Sequence, residues 1–141
     1  IVIAKDLMHS QSDFYRKVAQ CFEENNIPLE HLPSGIDTMT VIVQESKFIE
    51  HEQEVLSRIT KIVEPESLEV ESGISLIAVV GRGMKSQTGT AAKIFRALAD
   101  ARINVRMIDQ GASELNVIVG VPNEDFERAV RSIYHIFVDA E

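Results

Sequence analysis

The sequence predicts an α+β fold: two tandem ferredoxin-like (βαββαβ) units, each an antiparallel sheet with helices on one face. Three observations predict it. The chain repeats itself, for residues 1–43 slide by 76 onto residues 77–119 without a gap, and ten positions coincide. These are Ile1/Ile77, Met8/Met84, Ser10/Ser86, Gln11/Gln87, Lys17/Lys93, Ile27/Ile103, Gly35/Gly111 and the run Val41-Ile42-Val43 on Val117-Ile118-Val119. The register then slips by two, and Val55-Leu56, Ile59 and Ile62-Val63 overlay Ala129-Val130, Ile133 and Ile136-Phe137. A period this long is that of a duplicated small domain, not of a solenoid. Finally, apolar periodicity within each copy alternates between strand and helix spacing in the order β-α-β-β-α-β, the split βαβ. The predicted domains are residues 1–72 and 73–141.

Ile1-Val2-Ile3 and Ile74 to Val80 are β-branched runs that read as buried strands. Each feeds a polar loop, Lys5 to Asp13 and Gly81 to Gly89, that opens a helix. Phe14, Val18, Cys21 and Phe22 recur at helical spacing in the first copy, and Ile94, Leu98 and Ala101 in the second. Asp13 is the expected N-cap of the first helix, and Gly89-Thr90 serves that end in the second. Two strands joined by a turn follow in each copy: Leu29 to Leu32 with Met39 to Val43, then Val105 to Ile108 with Leu115 to Val121. Gly35 and Gly111 are expected to supply the permissive backbone of those turns. A second amphipathic helix spans roughly Glu50 to Val63 and Glu124 to Phe137. Leu68-Glu69-Val70-Glu71 alternates as a fourth strand in the first copy. In the second copy only Val138 stands in that place, so its fourth strand is missing or comes from elsewhere.

Composition narrows the function. A net charge of −8 argues against nucleic acid or an anionic membrane as partner. No apolar stretch approaches the ~18 residues of a membrane span. A single cysteine, Cys21, fits a reducing, cytoplasmic compartment without disulfides. Units of this size have thin cores, which favours packing together and dimerisation. The chain opens without Met, three residues inside the strand that Ile74 begins in the second copy, which predicts a fragment from the C-terminal end of something longer.

No catalytic constellation stands out. Gly81-Arg82-Gly83 has Ser86 where a dinucleotide fingerprint needs glycine, and Gly89-Thr90-Ala91 lacks the lysine of a phosphate loop. His9, His31, His51 and His135 are too scattered for a metal site, and none is expected. Glu50, Glu52 and Glu54 read as a solvated first helical turn, and Cys21 as a core residue. The informative places are the loops that open the first helix of each copy, Met8-His9-Ser10-Gln11 and Met84-Lys85-Ser86-Gln87. Free N–H groups and the positive end of the helix dipole collect there, a mouth suited to a carboxylate or phosphate. The alternative is that Ser and Gln satisfy the loop's own backbone. The chain reads as one built to bind.

A resemblance sharpens this. The strand Ile74 to Gly81, then Gly83-Met84-Lys85-Ser86, Ile103-Asn104-Val105-Arg106-Met107-Ile108 and Gln110-Gly111-Ala112-Ser113-Glu114, is similar to the paired ACT domains at the C-terminus of aspartate kinase. Asp6-Leu7-Met8 and Pro33-Ser34-Gly35-Ile36-Asp37 resemble the single-function, lysine-responsive bacterial branch. The Pro-Gly common before the first helix of amino-acid-sensing ACT domains is replaced by Ser12-Asp13 and Thr88-Gly89.

The resemblance implies a regulatory region with no catalytic residues of its own, attached to a kinase domain that uses ATP to phosphorylate aspartate. No cofactor is implied for these 141 residues themselves. It implies a small amino-acid effector, lysine or threonine, bound where ACT domains of two subunits meet, and a homodimer held by sheet pairing. Effector contacts would come from Met8, Ser10, Asp13, Phe14 and Tyr15 at the helix start, and from Leu29, Glu30, Pro33, Ser34, Gly35, Ile36 and Asp37. The carboxylate would sit on N–H groups at Asp13-Phe14-Tyr15, and an ε-ammonium would need Glu30 or Asp37. Glu30 is otherwise an outward-facing strand residue. Met84, Ser86 and Gln87 mark the second cleft, where Lys85 and Arg82 suit a lysine effector poorly, so this cleft binds threonine or only pairs domains. A dimerisation platform with empty clefts is the competing reading.

Overall fold

Phe14, Val18, Cys21 and Phe22 line one stripe of helix α1 (Phe14–Glu23), and all four are fully buried. The same stripe recurs 76 residues later in α4 (Thr90–Asp100), where Thr90, Ile94, Ala97 and Leu98 are buried. Each stripe seats a helix on its own small sheet. In this computed structural model residues 1–6, 10–81, 87–112 and 116–138 are described. The chain divides into two compact units, Ile1–Ser72 and Gly73–Glu141.

In the first unit β1 (Val2–Ala4) runs between β2 (Thr38–Thr40) and β3 (Ser67–Glu69), antiparallel to both. Ile3, opposite Met39 and Leu68, faces the helices. A short helix α2 (Glu45–Phe48) precedes α3 (Glu52–Val63), and α1 packs against α3 through a core that includes Val55, Ile59 and Val63. Phe48 of α2 is buried beside Phe22, their ring centroids 6.4 Å apart. α3 stops on Glu64, whose φ of 47° is left-handed, and the Lys5 ammonium donates to the carbonyls of Val63 and Glu64. A cation on the last carbonyls of a helix is where its dipole favours one.

The second unit contains β4 (Ile74–Val80), α4, β5 (Met107–Asp109), β6 (Asn116–Pro122), a 3-10 turn over Asn123–Asp125 and α5 (Phe126–Val138). The sheet order is β4-β6-β5, with β4 and β6 paired along seven residues from Ile74↔Pro122 to Val80↔Asn116. Val117, Val119 and Val121 point into the core with Ile94, Leu98, Ala129 and Ile133. Gly120 is required by close packing. A Cβ there would meet Met107 Cβ at 3.0 Å and Ile74 Cγ2 at 3.2 Å.

Both units turn the corner after their first helix in the same way. Ile27 N–H donates to Phe22 O at 3.0 Å and Asn26 N–H to Glu23 O at 2.9 Å. Ile103 and Arg102 repeat this onto Leu98 and Ala99, both at 2.9 Å. This is the Schellman pairing, and it forces the corner residue into left-handed space. Asn26 has φ 54° and Arg102 has φ 55°.

The α+β class, the antiparallel sheets and the strand Ile74–Val80 stand as expected. Other expectations need correction. Residues 29–32 form no regular strand, only the bridges His31↔Ile42 and Ser34↔Met39, because Pro28 and Pro33 lack the N–H a ladder needs. The second helix of the first unit begins at Glu52, not Glu50, and is preceded by the separate α2. Asp13 holds the N-cap position without capping, since its φ of −106° and ψ of 1° turn the carboxylate away from the first-turn amides. Gly89 precedes α4 with φ 91° and Thr90 does not cap either; its hydroxyl donates to Gln87 O at 3.1 Å. Gly35 and Gly111 do not use left-handed backbone. Gly35 instead allows close approach to Thr38, whose Oγ1 would lie 2.8 Å from a Cβ. Among the described residues the second unit has no fourth strand.

Two substitutions test this packing by urea denaturation. Arg102→Gly should stabilise the second unit by about 1 kcal/mol, since glycine carries no left-handed penalty. An unmoved midpoint would show that the corner stores no strain. Gly120→Ala should destabilise it by ~1–3 kcal/mol through overpacking against Met107 and Ile74.

Candidate functional site

The start of α1 is the natural place for an anion in the first unit. Phe14 N–H donates to Gln11 O at 3.1 Å and is therefore occupied. Lys17 N–H closes the first helical turn onto Asp13 O at 2.9 Å. Helix geometry leaves the N–H groups of Tyr15 and Arg16 between them without intrahelical acceptors. The Asp13 carboxylate lies 2.8 Å from Lys17 Nζ and 3.9 Å from Arg16 Nη2. The Lys17 hydrogen bond holds the Asp13 carboxyl below the usual range. One anion against two cations leaves this helix start net positive, which the dipole reinforces.

The hairpin that follows brings its turn to the same end of the sheet. Gly35 N–H donates to Thr38 O at 2.7 Å, Thr40 N–H to Pro33 O at 2.8 Å and Lys5 N–H to Asp37 O at 3.0 Å. The turn over 35–38 is thus tied to the residue that leaves β1 for the loop before α1. Ser34 Oγ donates to Leu32 O at 3.1 Å, and Ile36 is 72% exposed. Asp37 is exposed as well. Across this end Asp6 N–H donates to a Glu66 carboxylate oxygen at 3.4 Å, adding acidic groups to the rim. The mouth is cationic at the helix start and anionic around the turn, a pattern that suits a zwitterion.

The structure does not gather every expected residue there. Glu30 N–H donates to Ile42 O at 2.9 Å, at the far end of the hairpin. Four residues of strand separate Ile42 from Thr38, ~13 Å at strand rise, so Glu30 and Asp37 do not share one mouth. The Phe14 side chain is fully buried and offers no surface to a ligand. Leu29 packs on the core, whereas Tyr15 is 39% exposed and stacks edge-on against Phe14. Ser10 is exposed. Met8, Met84 and Ser86 lie outside the described residues, as do His9, Arg82 and Lys85. Gln87 is exposed at the start of the second unit's helix. Lys5, whose N–H ties the turn to the end of β1, carries no sequence signal of that role. Gln11, in the loop that the sequence marks, coincides with Gln87, and both carbonyls accept a hydrogen from the first residue of the helix, Phe14 N–H or the Thr90 hydroxyl.

Elsewhere the chemistry is quiet. Among the described residues no cluster of His, Cys, Asp and Glu could hold a metal, and no helix is long and apolar enough to cross a membrane. Cys21 is buried, its Sγ donating to Lys17 O at 3.2 Å, and burial pushes the thiol above its ordinary value.

Residues 77–137 match the family model of the ACT domain. Tandem sheet-and-helix units of this kind define a regulatory module of the ACT class. Over its length the chain is similar to aspartokinase 3 of Bacillus subtilis (strain 168), 37% identical over 138 residues, which are 97% of this chain and 30% of that protein. It matches the crystal structure of aspartate kinase from Clostridium acetobutylicum, described as an allosteric enzyme, with a TM-score of 0.95 at 41% identity. That match covers 98% of this chain and 32% of that one. The ligand-free regulatory subunit of aspartate kinase from Thermus thermophilus matches with a TM-score of 0.79 at 25% identity, covering 96% of this chain and 88% of that one. The chain belongs with the ACT regulatory regions of aspartokinases. It spans about a third of the length of the Bacillus and Clostridium relatives.

The buried thiol gives a pH test. Its folded pKa is raised, so its contribution is intact below the ordinary thiol range and is lost as pH rises past ~8.5, where the unfolded chain sheds the proton first. Cys21→Val should flatten the alkaline limb of a stability-against-pH curve. An identical limb in both proteins would locate that titration elsewhere.

Proposed function

We propose that this chain is the effector-sensing region of an aspartate kinase, giving an end-product amino acid feedback control over phosphorylation of aspartate by ATP. The observation that carries the reading is the two-signed mouth at the α1 start, on a chain that resembles aspartokinases over nearly all its length. The effector's carboxylate would meet the Tyr15 and Arg16 N–H groups beside Lys17. Its ammonium would meet carbonyls of the turn, with Ser34 and Ser10 at the rim.

Lysine is the effector we favour, because Asp37 stands on the same side of the sheet as the helix start and can face an ε-ammonium. Glu30 joins only if it comes from a second copy. An antiparallel approach of two hairpins along residues 29–33 would carry the Glu30 of one toward the turn of the other. Such an arrangement makes effector binding and homodimer formation mutually supportive. Coupling is then the difference in affinity between paired states, typically ~1–3 kcal/mol. The kinase domain, its ATP and a cytoplasmic setting belong to the same proposal. A second reading also has an observation behind it. Asp13 already supplies a carboxylate at the helix start, so the chain could be a dimerisation platform whose mouth satisfies itself.

Thermal melts with lysine, threonine or methionine at millimolar concentration separate the two. Ligand at 100 times its dissociation constant adds ~2.7 kcal/mol, a shift of several degrees. A rise with lysine supports the sensor. A dimer that no ligand stabilises supports the platform. Asp37→Asn should weaken lysine binding about ten-fold with the melt of the free protein unchanged, and calorimetry giving an unaltered affinity would remove Asp37 from the site.

A further inference from the structure

The turn over residues 35–38 and the segment that follows α3 lie on opposite flanks of β1, since the sheet order is β2-β1-β3. They do not pair with one another, so the direct route between them is β1. The end of that strand is bonded to both. Toward the turn, Lys5 N–H donates to Asp37 O at 3.0 Å. Toward the exit, Glu66 N–H donates to Ala4 O at 2.9 Å, and Asp6 N–H to a Glu66 carboxylate oxygen at 3.4 Å. The Lys5 side chain adds a further link. By strand alternation it follows Ile1 and Ile3 to the helix side of the sheet. There its ammonium donates to the Val63 carbonyl and, at 3.4 Å, to that of Glu64.

The second copy supplies the comparison. The shift of 76 that overlays the units puts Lys5 on Gly81, which follows β4 and carries no side chain. The same architecture therefore forms without a cation at this position. In the first unit α3 ends abruptly on the left-handed Glu64, and the chain passes through Pro65 into β3. The last carbonyls of a helix lack helical donors, and a charged donor is a strong partner for them. Lys5 is half-buried, which strengthens such a bond.

We propose that Lys5 is the positioning residue through which the mouth at the α1 start governs the exit segment, residues 64–69. The inference rests on the reading of that mouth as an effector site. A ligand seated between the α1 start and the turn holds the turn in place. Lys5 N–H is fixed by the same turn, so its ammonium then keeps the last turn of α3 closed and the exit segment against β1. When the turn is displaced, the end of β1 shifts with it and the grip on α3 loosens. Two arrangements that differ in affinity for the ligand are what coupling requires. Gly81 makes no such link, so this coupling belongs to the first unit.

Amide hydrogen exchange over residues 64–69, read by mass spectrometry, tests this in two arms. The first needs no ligand. Gly35→Ala crowds Thr38 Oγ1, 2.8 Å from the added Cβ, and displaces the turn. It should speed exchange of the exit segment by about five-fold or more. In a Lys5→Met background, which keeps the stem and loses the donor, it should add nothing. In Lys5→Arg, whose guanidinium can reach the same carbonyls, the response should return. Glu66→Ala, which leaves Lys5 in place, should keep the response. Equal acceleration with and without Lys5→Met would overturn the proposal, and so would a response lost in Glu66→Ala. The second arm adds saturating lysine. Exchange over 64–69 should slow about five-fold in the wild type and in Lys5→Arg, but not in Lys5→Met, although calorimetry shows that Lys5→Met binds lysine. Undiminished slowing in Lys5→Met would again overturn it. Were none of these proteins to bind lysine, the sensor reading would fall and the first arm would still decide the role of Lys5.

Discussion

The seating of the α1 stripe on the sheet is the contact from which the first unit is built. Phe14, Val18, Cys21 and Phe22 all lose their solvent, and each large side chain contributes ~1.5–3 kcal/mol by leaving water. That burial fixes where the helix begins. Phe14 must point inward, so Asp13 and Ser12 fall at the mouth, toward which the Tyr15 and Arg16 N–H groups point along the helix axis. The polarity of the mouth is thus a by-product of the packing register. A helix rotated by one residue would bury Tyr15 and bring Phe14 to the surface.

The same logic distributes charge. Glu and Asp crowd the chain, yet at the α1 start Arg16 and Lys17 outnumber Asp13. The acidic groups collect instead at Asp37, Asp6 and Glu66, where β1, the hairpin turn and the entry to β3 meet. Separating the signs across a few residues costs nothing structurally, since every group is exposed or half-buried. It gives a surface able to orient a molecule that carries both charges. The second unit keeps the fold and changes the edge: its two long strands are apolar on both faces, and where the first unit has β3 it has no strand among the described residues.

Much of this was legible in the sequence because duplication doubles every signal. The buried positions 14, 18, 21 and 22 recur as 90, 94, 97 and 98, and Ile27 recurs as Ile103. Two shared turns of periodicity are hard to produce by chance. What escaped was local. Helix α2 has only four residues, too few for a period to show, and its buried residue is Phe48, which joins the core beside Phe22. Residues 29–32 have strand-like composition, but prolines at 28 and 33 remove ladder donors, a penalty that pattern counting does not register. The caps failed for a subtler reason. Whether Asp13 reaches an amide or Lys17 depends on a single backbone torsion, and residue type does not determine it. Of the candidate residues, the helix start and the turn fall at one end of the sheet and Glu30 at the other, because hairpin register decides which end of the sheet a side chain reaches.

Lys5 ties three of these parts together. Its backbone N–H holds the turn at Asp37, while its ammonium holds the last carbonyls of α3, immediately before the strand that leads toward the second unit. Its amine is engaged only while α3 ends where it does. Covalent footprinting with an amine-selective reagent would therefore read, at one residue, whether the first unit's hairpin turn and its exit segment remain in register. The fold carries its own internal gauge.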